Sequence, residues 1–355
     1  MQYLQELIET ANALVAPKKG ILAADESSGT IKKRFDAIDV ESTEENRRDY
    51  RELLFRTAGV EEFISGVILF DETLRQQGAD GTPLVEVISS RGMIPGIKVD
   101  AGAKPLALKD DEVVTEGLDG LRERLNEYRE LGARFSKWRA VICIGPGLPS
   151  SYAIEANAHA LSRFAALSQE AGIVPIVEPE VLMDGSAGGA VGDHSIERCY
   201  EATSAILTEL YYQMHHQRVA LEGTLLKTNM VLSGKSASNR APAEEVAQMT
   251  VKCFKETVPA AVPGIVFLSG GQSDEEATVN LDAIARHGQE VGAPWELSYS
   301  YGRGLQAAPQ QAWAGKQANV ADAQRAFHHR AMVTSAARQG SYTPAMEARE
   351  AAVSD

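Results

Sequence analysis

The feature that most restricts this chain is a series of eight short apolar runs, most of them closed by Gly, Pro or a carboxylate. They are "GILAADE" (20–26), "GVILFDE" (66–72), "IPGIKVD" (94–100), "KWRAVICIG" (137–145), "VPIVEPE" (174–180), "GTLLKTNM" (223–230), "GIVFLSGG" (264–271) and "WELSYSYG" (295–302). Stretches with helical spacing separate most of them, such as "GLDGLRERLNEYRELG" (117–132) and "NAHALSRFAALSQEAG" (157–172), whose Gly132 and Gly172 sit where helix C-caps belong. Strands alternating with helices imply right-handed βαβ units and a parallel sheet. The expected class is α/β, a (β/α)8 TIM barrel. Length alone also suits two smaller domains, and strand counting alone leaves an open sheet as the alternative. No linker or composition break divides the chain. We therefore expect a single domain over 1–340, followed by a polar, mobile tail over 341–355.

Other features narrow the function. The formal charge is −14 with no basic stripe to offset it, which argues against a nucleic-acid partner. Cys143, Cys199 and Cys253 are an odd set without CxxC spacing and read as buried, reduced thiols. No apolar run approaches the roughly 18 residues of a membrane span. The N-terminal stretch places Leu4, Leu7, Ile8, Ala11 and Leu14 on one helix face and lacks a basic leader region. We expect a soluble, cytoplasmic protein with no membrane partner. "GPGLPS" (145–150) is broken by Pro146 and Pro149 and does not suit a dinucleotide loop. The pairs His215–His216 and His328–His329 lack metal-ligand spacing and read as exposed helix faces, so we expect neither a metal nor a cofactor. "DGSAGGAVGDH" (184–194) reads as a flexible loop.

Strand side chains alternate, so residues two apart share a face. Asp25 shares one with Ala23 and Ile21, Lys98 with Asp100, Lys137 with Arg139, Glu178 with Glu180, and Lys227 with Asn229. A lysine near a strand end ordinarily snorkels to water, and a carboxylate there is ordinarily a cap or loop residue. Jointly, charges at corresponding points of five strands point to a barrel mouth, where such folds do their chemistry. Burial and cationic neighbours both disfavour an ammonium, so an apolar strand such as that of Lys227 can present a free amine for Schiff-base formation with a carbonyl substrate. Neighbouring carboxylates would move the protons. Ser269, Gly270 and Gly271 after the seventh run, with Ser300 and Arg303 after the eighth, suit a phosphate, and Arg34 in "DESSGTIKKR" could reach a second one.

The quoted runs, together with "DESSGTIKKR", "FLSGGQS" and "SYGRGLQA", closely resemble class I fructose-1,6-bisphosphate aldolase, motif after motif over roughly residues 10–345. The resemblance implies a (β/α)8 barrel, commonly a homotetramer, and metal-free cleavage of a phosphorylated ketose, fructose 1,6-bisphosphate, to dihydroxyacetone phosphate and glyceraldehyde 3-phosphate. It places the Schiff-base lysine at Lys227, the acid/base that dehydrates the carbinolamine at Glu178, and the base for the C4 hydroxyl at Asp25. Lys98, Lys137 and Glu180 match supporting charged residues, and Arg139 a neighbouring polar one. Phosphate contacts carry over to Ser269, Gly270, Gly271, Ser300 and Arg303 for one end, and to Arg34 for the other. Two positions depart from the family pattern. Thr228 stands where proline is common, and the chain ends "AAVSD", where many animal members carry a tyrosine that exchanges the enamine proton. The last tyrosine here is Tyr342, in "GSYTP". Another group or water then carries that proton, or the step is slower. The competing readings are another Schiff-base sugar-phosphate aldolase or transaldolase, and a barrel scaffold without catalysis.

Overall fold

The computed structural model describes residues 2–109, 111–185 and 189–352. Among the described residues there are ten strands: β1 Gly20–Ala24, β2 Ile64–Leu69, β3 Ile94–Lys98, β4 Ala103–Pro105, β5 Val113–Thr115, β6 Phe135–Ile142, β7 Val174–Val181, β8 Leu225–Thr228, β9 Gly264–Phe267 and β10 Glu296–Tyr301. All except β4 and β5 close into a parallel barrel in chain order, with β10 returning to β1 through Ile21 opposite Ser300. The helices are α1 Leu4–Leu14, α2 Ser28–Asp36, α3 Glu44–Phe55, α4 Asp71–Arg75, α5 Leu84–Ser89, α6 Leu121–Glu130, α7 Ser151–Glu170, α8 Ile196–His216, α9 Ala243–Thr257, α10 Asp274–Glu290, α11 Arg303–Trp313 and α12 Val320–Arg338. The eight apolar runs are the eight barrel strands. Gly132 and Gly172 follow α6 and α7 at φ +105 and +70, a left-handed conformation open to glycine and costly for residues with a Cβ.

Strand alternation divides most of the apolar residues into two main cores. Leu22, Val67, Ile97, Trp138, Val177, Leu226, Ile265 and Tyr299 point outward and pack under the helices. Ile21, Ala23, Ile68, Phe135, Val174, Ile176, Leu225 and Val266 point inward and pack with Leu7, Ala11, Leu14 and Val15 at and just beyond α1. The N-terminal helix, read from the sequence as a packed amphipathic segment, is thus a plug in one end of the barrel. Glycine makes the room. A Cβ on Gly96 would lie 2.3 Å from the Phe135 ring, and one on Gly264 would lie 2.7 Å from Val15. Above this apolar layer the same strand faces carry charge, which leaves the opposite, C-terminal end for the site.

Some expectations need correction. The β4–β5 hairpin, which pairs antiparallel through Lys104 opposite Val114, was not legible in the sequence. His215 and His216 are exposed, but His329 is buried and His328 packs edge-on against Phe63 at 5.3 Å. The cause is that α12 lies against α3, α10 and α11, which covers it on several sides. All three cysteines are buried and free of disulfides, as expected. "GPGLPS" leads into α7, with Ser150 Oγ accepting from the Ala153 N–H. Within the loop read as flexible, 186–188 lie outside the described residues. In the segment read as a mobile tail, Pro344–Ala352 form a 3-10 helix. Its Glu347 pairs with Arg330 at 2.5 Å and accepts from the Tyr342 hydroxyl at 3.3 Å, while 353–355 lie outside the described residues. Among the described residues no helix is long and apolar enough to cross a membrane.

Candidate active site

The charged layer begins one inward position above the apolar one. Along β7 the inward series runs Val174, Ile176, Glu178, Glu180; along β8 it runs Leu225, Lys227; along β6 it runs Phe135, Lys137, Arg139. Each charge therefore stands on a hydrocarbon floor that excludes water from below. Lys137 and Lys227 are each 4% exposed and Glu178 is 3% exposed.

Four of these groups form one chain of alternating charge. Lys227 Nζ lies 3.1 Å from Glu178 Oε1, and Lys137 Nζ lies 3.2 Å from Glu178 Oε2. The same Lys137 Nζ reaches Asp25 Oδ2 at 2.7 Å. Burial alone would raise the Asp25 carboxyl, but the Lys137 and Lys227 ammoniums outweigh it and hold it down at about 2. Glu178 is likewise lowered, with Lys137, Lys227 and Arg139 overcoming its burial. Burial opposes the Lys137 charge, yet Asp25, Glu178 and Asp100 hold that ammonium well above the ordinary lysine range. The resting site is a compensated ion cluster.

The remaining sequence-selected groups surround it. Lys98 Nζ pairs with Asp100 Oδ1 at 2.8 Å, and Asp100 Oδ2 accepts from the Arg139 N–H at 3.2 Å. Arg139 in turn donates through Nε to Glu180. A Cβ on Gly270 would stand 3.0 Å from Glu180 Oε1, so the Ser269–Gly270–Gly271 turn lies directly against the Arg139–Glu180 pair. Gly271 has φ +76, and a Cβ there would meet Met183 at 2.4 Å. Ser300 is 1% exposed and its Oγ has no hydrogen-bond partner among the described residues. Ser269 Oγ accepts from the Gly304 N–H at 3.4 Å. Arg303 is exposed, with Nη2 donating to the Gln272 carbonyl at 3.0 Å.

One sequence-selected residue lies elsewhere than expected. Asn229 does not share the inward face with Lys227. The β8 ladder ends at Thr228, and Asn229 turns toward α8, where Nδ2 donates to Thr203 Oγ1 at 3.2 Å and Oδ1 accepts from the Val181 N–H. Arg34 pairs with Glu26 at 2.5 Å, and a Cβ on Gly302 would lie 3.7 Å from its Nη2. It therefore stands beside the β10 exit, close to Gly302. Glu26, which anchors Arg34, and the buried Arg51 and Gln306 that also reach Glu26, carry no local sequence signal. Their contacts come from helices remote in sequence. At the family-variant position, Thr228 Oγ1 donates to the Pro179 carbonyl at 3.2 Å.

Comparison with known proteins agrees with this geometry. A model of the family described as "Glycolytic: Fructose-bisphosphate aldolase class-I" matches residues 6–355. A probable fructose-bisphosphate aldolase class 1 from Xanthomonas campestris pv. campestris is 54% identical over 340 residues, covering 96% of this chain and 99% of that protein. Fructose-bisphosphate aldolase 4, cytosolic, from Arabidopsis thaliana is 52% identical over 337 residues, covering 95% of this chain and 84% of that protein. Among solved structures, a fructose-bisphosphate aldolase from Plasmodium falciparum, in complex with TRAP and a small-molecule inhibitor, superposes with a TM-score of 0.92 at 47% identity, covering 96% of each chain. This barrel, with its lysine–carboxylate mouth, belongs to the class I fructose-bisphosphate aldolase family of carbon–carbon lyases.

Proposed function

We propose that the aldolase reaction of this chain runs through Lys227, Glu178 and Asp25. The observation that carries the assignment is the unbroken chain Lys227–Glu178–Lys137–Asp25, its first three members buried on an apolar floor and Asp25 half-buried at its end. Lys227 must lose a proton to act as a nucleophile, and Glu178 lies 3.1 Å away to receive it. As Lys227 becomes neutral, one of the cations that depress Glu178 disappears and its basicity rises. The amine adds to the ketose C2 carbonyl. Glu178 then protonates the carbinolamine hydroxyl, which leaves as water and gives an iminium at C2. Asp25 takes the C4 hydroxyl proton, the C3–C4 bond breaks, and its electron pair moves into the iminium to form an enamine. The aldehyde half departs. The enamine gains a proton at C3 from water, Asp25 returns its proton to solvent, and hydrolysis of the resulting iminium releases dihydroxyacetone phosphate and restores Lys227.

Lys137 acts as the electrostatic brace, its charge shared by Glu178 and Asp25. Lys98, Arg139 and Glu180 hold the outer wall. Ser269, Gly270, Gly271, Ser300, Arg303 and Arg34 take the substrate phosphates, with Arg34 on the β10 side of the mouth. The iminium is the electron sink, so this route needs no metal or cofactor. Lys227→Met should lower kcat by on the order of 10⁴-fold or more, while Glu178 keeps its Lys137 partner and the fold persists. Retained turnover in that variant would remove Lys227 from the mechanism. The same reading extends to a homotetramer in the cytoplasm, supported by the family membership and by the cytosolic name of the Arabidopsis relative. Light scattering giving a single-chain molar mass would refute the tetramer.

A further inference from the structure

The exit of β1, from which Asp25 projects, is held from outside the barrel by two buried side chains that touch none of the reacting groups. Arg51, on α3, is 1% exposed. Its Nη2 donates to the Glu26 carbonyl oxygen at 2.7 Å, and its Nη1 donates to Thr73 Oγ1 at 2.7 Å. Gln306, on α11, is fully buried, and its Nε2 donates to the Ala23 carbonyl at 2.6 Å and to Glu26 Oε1 at 2.7 Å. The peptide on both sides of Asp25 is therefore gripped, at residue 23 from one helix and at residue 26 from another.

A buried guanidinium is costly to maintain, and simple stability would be served as well by an apolar contact. What the two side chains supply is orientation. The β1 ladder ends at Ala24, so sheet hydrogen bonds no longer fix the backbone at Asp25. We propose that Arg51 and Gln306 are positioning residues for the cleavage step, holding the Asp25 backbone so that its carboxylate stays on Lys137 and faces the substrate's C4 hydroxyl. This rests on the assignment of Asp25 as the base for that hydroxyl.

The proposal separates two partial reactions. Cleavage of fructose 1,6-bisphosphate needs Asp25. Schiff-base formation with dihydroxyacetone phosphate, which has no C4, needs only Lys227 and Glu178. Gln306→Met keeps the volume and loses the donor. Arg51→Lys keeps the charge but loses the planar two-nitrogen fork that serves the Glu26 carbonyl and Thr73 together. With Asp25→Asn as reference, each folded variant is assayed for cleavage kcat and for borohydride trapping of dihydroxyacetone phosphate on Lys227. The expected result is a cleavage kcat lower by about 10- to 100-fold with the trapping rate unchanged, read below the Tm of each variant. If cleavage and trapping fall together, or if cleavage is unaffected in both variants while Asp25→Asn shows the split, the proposal is overturned. If Asp25→Asn itself shows no split, the base assignment fails first and takes the proposal with it.

Discussion

At the scale of single residues, the ion cluster makes stability depend on pH in a definite direction. The Asp25 carboxyl sits at about 2 in the folded chain, below its ordinary 3.8. Its contribution is therefore complete above the ordinary value and is lost as pH falls from there through about 2. Lys137, raised in the folded state, contributes fully below its ordinary 10.5 and loses that contribution only as pH rises beyond it. Asp25→Asn should flatten the fall of Tm between pH 4 and 2, roughly the interval between the two Asp25 values. A wild-type slope in that variant would contradict the pairing. The residues of this cluster were legible in the sequence because a period of two carries Lys137, Glu178 and Lys227 to one face of their strands. Asn229 was misplaced because that period ends with the ladder at Thr228. Arg51 and Gln306 went unnoticed because the contacts that bring them to Glu26 come from helices remote in sequence.

At the scale of elements, the barrel strands were read correctly because each is a short apolar run and most are closed by a breaker, and Gly96 shows what such a strand must leave out. Gly96→Ala would push a methyl into the Phe135 ring, and we expect a loss of about 1–3 kcal/mol in denaturant unfolding; an unchanged midpoint would mean that the inner layer is loosely packed. The capping box of α10, with Ser273 Oγ accepting from the Glu276 N–H at 3.1 Å, belongs to the same scale. Ser273→Ala should cost about 1 kcal/mol, measured in the same way. Elements that escaped the sequence reading lack a periodic signature. The strands of the β4–β5 hairpin are three residues each, and one contains Pro105. Helix α12 is covered on several sides, so no polar stripe distinguishes its His328–His329 face.

At the scale of the whole molecule, barrel closure brings together Asp25, Lys137, Glu178 and Lys227, the last three on strands fixed by the apolar layer beneath and Asp25 just past the end of β1. The chain as a whole is strongly anionic, at −14, yet its substrate brings two phosphates. Local cations at the mouth must therefore override the general field, and KM for fructose 1,6-bisphosphate should rise in Arg303→Ala by about 10- to 100-fold, the equivalent of a lost charged hydrogen bond. An unchanged KM would place the phosphates elsewhere. EDTA should leave the rate unchanged, since the iminium accepts the electrons, and strong inhibition would point to a metal-dependent route. The most direct test of the account is borohydride reduction of the protein with fructose 1,6-bisphosphate, followed by mass mapping of the adduct. The predicted result is a single reduced adduct on Lys227 with concurrent loss of activity; an unmodified Lys227 in a protein that keeps turning over would contradict it.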